Sequence, residues 1–157
     1  MNAAKSGVWS LEGRVGQELG VSDWFTIEQR RIDAFADTTM DDQWIHIDVE
    51  RARRESVFGS TVAHGFLVLS MMPYLRRSIA FLPPDSGQII NYGADYVRFL
   101  NPVKAGARVR MRMNLTAFEP RVDGRVLLKT RNTVEIEGVE TPALVADILT
   151  MVVPPPT

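Results

Sequence analysis

Residues 65 to 82 constrain the fold more than any other stretch of this chain. Phe66, Leu67, Val68, Leu69, Met71, Met72, Leu75, Ile79 and Phe81 leave almost no polar side, and a helix that is apolar all round must be enclosed by other elements. Pro73 has no backbone donor and crowds the carbonyl of Leu69, so a bend is expected near Leu69. Pro83-Pro84 ends the run. Beyond it the apolar period falls from helical to two. Residues 88 to 100 read as one long strand, and residues 108 to 115 set Val109, Met111, Met113 and Leu115 against Arg108, Arg110, Arg112 and Asn114. Two more strands, at 126 to 136 and 143 to 153, follow hairpin turns at Asp123-Gly124 and Glu137-Gly138. The strands predict an antiparallel meander. A buried helix followed by such strands is an α+β arrangement, in which a curved antiparallel sheet wraps a long central helix.

The segments on either side are weaker. Residues 1 to 23 read as a loose lead-in, with a short strand near Trp24-Phe25. Thr26 offers an N-cap with Gln29 three positions on, the reciprocal capping arrangement. Ile27, Ile32, Phe35 and Ala36 recur at helical spacing, predicting a helix over 27 to 38. Asp48 is placed to cap a charged two-turn helix. Pro154-Pro155-Pro156 cannot extend a ladder and should trail as polyproline. With no repeat or linker, residues 1 to 157 are read as a single domain, flanked by the lead-in and a Pro-rich tail at 154 to 157.

A formal net charge of −1 argues against a nucleic-acid partner, which is held by clustered positive charge. There is no cysteine, hence no disulfide, thiolate nucleophile or thiolate metal site. The first residues lack the apolar core of a signal peptide, and no apolar run reaches membrane-spanning length. The expectation is a cytoplasmic protein without a membrane partner.

Both histidines of the chain, His46 and His64, fall within residues 41 to 69. His46 follows Asp41 by five positions, and His64 stands directly before Gly65, where the apolar helix begins. These residues resemble the signature of the MaoC-like dehydratases, the (R)-specific enoyl-CoA hydratases: Gly-Asp-x-Asn-Pro-x-His, followed some twenty residues later by His-Gly at the head of a central helix. Asp41 and His46 match the signature Asp and His, and His64-Gly65 matches the second element. Gln43-Trp44 is closer to the branch similar to nodulation protein N. Met40 departs from the family's glycine, and Asp42 is an added carboxylate. The resemblance implies a hot-dog fold, a homodimer with its acyl tunnel near the interface, an acyl thioester of coenzyme A or acyl carrier protein as substrate, and no cofactor.

Hydration of an enoyl thioester needs a base for water, a proton for the α carbon and donors for the enolate-like oxygen. A carboxylate and an imidazole sharing one water can supply the first two. Asp41 and His46 are the candidate catalytic pair, and the Gly65 amide is the candidate donor to the thioester oxygen. His64 is a candidate substrate-side residue whose plainer role is to cap or orient the loop. Met40 is expected to intrude on the site and narrow the acyl pocket, in preference to a second alternative in which the family glycine serves a positive φ. Singly, Asp41 reads as a turn former and His46 as a structural histidine; their joint arrangement with Gly65 points to function. A two-histidine, one-carboxylate metal site is the weaker reading, since the spacing matches no zincin helix. A hot-dog thioesterase and a non-catalytic acyl-ligand binder are the rival functions.

Overall fold

The computed structural model describes residues 6–155; the first five residues of the expected lead-in, and Pro156 and Thr157 of the tail, lie outside them. The strands are β1 (Glu18–Val21), β2 (Phe25–Thr26), β3 (Gln88–Phe99), β4 (Arg108–Pro120), β5 (Val126–Ile136) and β6 (Val139–Val153). They form one sheet in the order β1-β4-β5-β6-β3, with β2 also on β4. Side-chain alternation fixes the register of the sheet. Val109, Met111, Met113 and Leu115 of β4 face inward and are buried. Arg110 and Arg112 face outward, where both donate to Glu135 of β5 at 2.6 and 3.0 Å.

Consecutive β4, β5 and β6 form the expected meander, but β3 does not join it beside β4. It pairs antiparallel with β6 at the far edge, which corrects the expectation. The connection between β3 and β4 explains the crossing. Val103 accepts from the Ala63 amide, the Ala105 amide donates to Thr61, and the Gly106 amide donates to Ile27. These bonds carry the chain across the end of the sheet, where a tight hairpin would have kept β3 and β4 adjacent.

The helices are α1 (Gln29–Thr39), α2 (Trp44–Ile47), α3 (Val49–Glu55), α4 (Gly65–Ser70) and α5 (Met72–Leu75). Asp48 caps α3 as expected, its carboxylate accepting from the Arg51 amide at 2.9 Å. The capping arrangement at α1 does not form: Thr26 belongs to β2, Glu28 holds the cap position without a side-chain bond, and Gln29 bonds elsewhere. The helix expected over 65 to 82 is shorter and stepped. It breaks at Met71 between α4 and α5, near the bend assigned to Pro73, and after a 3-10 turn at Arg76–Ser78 the chain leaves helical geometry.

Leu67, Val68, Met71, Met72 and Leu75 pack into one core with Met111, Leu115, Leu128, Val134 and Leu144 of the sheet. Truncating a fully buried member such as Leu115 or Leu144 to alanine should cost about 2–5 kcal/mol. The lead-in is more ordered than its sequence suggests: Gly7–Arg14 is a 3-10 helix that buries Val8 and Leu11. β3 lies at the opposite extreme, exposed at every position but Val97.

Candidate active site

The corner that presents the candidate pair starts at the end of α1. Met40 terminates that helix in the left-handed region, at φ 59 and ψ 23, the turn that glycine makes without strain. Its side chain is 88% exposed, so it does not intrude on the histidines. The positive-φ alternative therefore replaces the expectation that Met40 narrows the acyl pocket. Asp41 and Asp42 follow, both exposed, and the single helical turn of α2 then directs His46 inward.

His46 is buried, and its Nδ1 lies 2.6 Å from the carbonyl of Val62. A carbonyl only accepts, so Nδ1 carries the proton and the neutral ring keeps its lone pair at Nε2. His64 has the opposite tautomer by the same reasoning: its Nε2 donates to the backbone carbonyl of Asp41 at 2.8 Å. Its Nδ1 is buried without a partner among the described residues. The two rings stack with centroids 3.8 Å apart and planes 24° from parallel, while Phe35 packs on His64 at 5.0 Å. His64 thus holds the Asp41 loop and backs the His46 ring, the orienting role rather than an open contact face.

One polar atom each of Asp41, His46 and His64 lies within 4.8 Å of the others. This grouping invites a metal, but imidazole lone pairs lie in the ring plane. In stacked, near-parallel rings they run side by side and do not converge on one ion, so the cluster does not suit a metal centre. A carboxylate reached from solvent beside a buried imidazole is better suited to holding and deprotonating one water.

Residues that sequence reasoning missed hold the corner closed. Gln29 donates through Nε2 to the His46 carbonyl at 2.7 Å and to Asp33 at 2.8 Å, and its Oε1 accepts from the buried Thr61 hydroxyl. The Val62 amide donates to the Ile45 carbonyl, so α2 is clasped to the segment leading into α4. The only sequence signal was Gln29 in the first turn of a helix, where capping is the ordinary inference.

Gly65 opens α4. The first bond across that turn runs from the Val68 amide to the His64 carbonyl, which leaves the Gly65 amide outside the helical ladder. A Cβ on Gly65 would lie 2.8 Å from the Phe99 ring. The space freed by the missing side chain is filled by Phe99. Asp41, His46 and His64 are brought together; Gly65 adjoins them in the chain, and Met40 points away.

Residues 10–138 match the sequence profile of the MaoC like domain. The chain is 45% identical to nodulation protein N of Rhizobium leguminosarum bv. viciae over 142 residues, covering 90% of this chain and 88% of that protein. It is 42% identical to 3-hydroxyacyl-thioester dehydratase Z of Mycobacterium tuberculosis over 140 residues, covering 89% and 91%. Among solved structures, the MaoC-like dehydratase from Rhodospirillum rubrum superposes with a TM-score of 0.71 at 25% identity, over 91% of this chain and 94% of that one. A curved six-stranded antiparallel sheet holding a helix is the hot-dog fold of these dehydratases. On its profile, its curated relatives and its fold, the chain belongs to the MaoC-like dehydratase family.

Proposed function

We propose that this chain reversibly hydrates trans-2-enoyl thioesters to (R)-3-hydroxyacyl thioesters, with coenzyme A as the carrier. The observation that carries the reading is the meeting of the Asp41 carboxylate with His46, whose proton is fixed on Nδ1 by the Val62 carbonyl. A water between the carboxylate and Nε2 loses a proton as its oxygen bonds to C3. Electrons move from the alkene to the thioester oxygen, which accepts from the Gly65 amide. The pair then returns the proton to C2 on the same face. A positioned acid or base supplies about 100- to 10,000-fold of rate, and one preorganised donor to the oxyanion about 100- to 1,000-fold. The name of the Mycobacterium relative supports the thioester class.

The assembly we propose is a homodimer formed through β3. This strand leaves one edge of its backbone unpaired, and Tyr92, Tyr96, Phe99, Leu100 and the adjoining Phe66 are all at least 45% exposed. An exposed apolar edge of this length requires a cover. Light scattering at assay concentration should give twice the chain mass; the mass of a single chain would refute the dimer.

Incubation with a short enoyl-CoA separates the candidate functions. Loss of enone absorbance with no free thiol is the expected result. Thiol release would establish the thioesterase, and unchanged substrate that nevertheless binds would establish the acyl-ligand binder.

A further inference from the structure

A cleft opens against α4 and α5, beginning at Leu69, about 6 Å beyond Gly65 at 1.5 Å per helical residue. Its volume is about 440 Å³, within the range of sites that hold small ligands. Its walls are partly apolar, including Leu69 and Met72, but Thr130, Asn132 and Thr150 on the inner face of the sheet also line it. All three are at least 97% buried. Asn132 is the telling residue. Its Nδ2 donates to the carbonyl and hydroxyl of Thr130 at 3.0 and 2.9 Å and more weakly to the Ala146 carbonyl. Those acceptors fix the orientation of the amide and leave Oδ1 buried with no donor among the described residues. A buried acceptor without a partner is costly, and folding alone does not require one here.

The cleft also carries a cation. Arg76, at the end of α5, lines it, half-buried and over the Phe81 ring at 5.7 Å. It pairs with no carboxylate among the described residues. Burial lowers its pKa from the ordinary value, as expected of a guanidinium removed from water without a counterion.

From the cleft lined by Asn132 and Arg76 we infer that the acyl chain this protein takes is oxygenated at its far end, offering a hydroxyl to Asn132 Oδ1 and a carboxylate to Arg76. A plain hydrocarbon would leave both groups unsatisfied, and sites built around such groups reject ligands that lack the matching atoms. The inference rests on the hydratase reading for the thioester end alone.

The test uses CoA thioesters of trans-2-enoic acids of equal length whose tails end in methyl, hydroxyl or carboxylate. Both polar tails should exceed the methyl tail in kcat/KM by about tenfold or more. Asn132→Leu should abolish the hydroxyl preference, and Arg76→Met the carboxylate preference. Arg76→Met lies at the partly exposed edge and keeps the test open if Asn132→Leu does not fold. A methyl tail handled as well as either polar tail, or a preference that survives its own substitution, overturns the inference. Calorimetry with the saturated thioesters, which have no alkene to hydrate, reads the same order without catalysis. A polar preference in binding with no turnover would remove the hydratase reading and leave this one standing.

Discussion

Replacing Met40 with glycine should stabilise the protein. Met40 adopts φ 59 and ψ 23, where an L-residue with a Cβ loses about 1–2 kcal/mol relative to the right-handed region. Glycine removes that cost but gains freedom in the unfolded chain, which gives back about 0.4–1 kcal/mol. The side chain is 88% exposed, so its loss sacrifices little buried surface. The balance is a gain of about 0.5–1 kcal/mol. At about 2–4 °C per kcal/mol for a chain of this size, Tm should rise by about 1–4 °C. Differential scanning calorimetry measures the shift, with Met40→Ala as the control. Alanine also lacks the thioether but keeps the Cβ, so it should not stabilise. Equal stabilisation by alanine and glycine would refute the backbone account. A change in enoyl-CoA turnover beyond about threefold in the glycine variant would show instead that the side chain reaches the site.

Three further outcomes follow from the geometry. Asp41→Asn and His46→Ala should each lower turnover by about 100- to 10,000-fold with the melting curve retained, and the double variant should be little slower than either; losses that multiply would refute a shared water. Gln29→Leu removes the bonds to the His46 carbonyl and Thr61, so kcat should fall about tenfold or more with KM nearly constant, and Gln29→Glu, which keeps the acceptor for Thr61 alone, should rescue little. Asp147 is held below the usual carboxylate range by hydrogen bonds from Arg131 at 2.8 and 2.7 Å, so its contribution is complete above the unfolded pKa of about 3.9 and is lost as pH falls through the depressed folded value. The Tm difference between the natural protein and Arg131→Met should be flat at neutral pH and close below about pH 4, and a difference that widens in acid would reverse the assigned sign.

The long elements were legible because their side chains keep a fixed period. The strand expected over 126 to 136 coincides with β5, and Arg108, Arg110 and Arg112 alternate with buried partners along β4. The position of β3 was not legible. Pairing with β6 depends on where residues 100 to 107 are tethered, and those tethers are backbone bonds to Ile27, Thr61 and Ala63 with no side-chain signature. The 3-10 helix at Gly7–Arg14 has no sequence signature for a related reason, since Val8 and Leu11 are buried within a segment too short and glycine-rich to show a period. Resemblance to the dehydratase signature singles out Asp41, His46 and the His64-Gly65 pair. It could not distinguish the two possible states of Met40, because both call for glycine.

What makes the two histidines different is likewise written in the backbone. Every residue offers a carbonyl, so no pattern of side chains announces that Val62 will take the Nδ1 proton of His46, or that Asp41 will take the Nε2 proton of His64. Yet these two bonds fix opposite tautomers on stacked rings. The lone pair on His64 Nδ1 is buried, and the one on His46 Nε2 is the pair that the proposed mechanism gives to the water. His64 thereby holds the Asp41 loop, the plainer of the roles its sequence position offers, and the proposed mechanism assigns the water to His46.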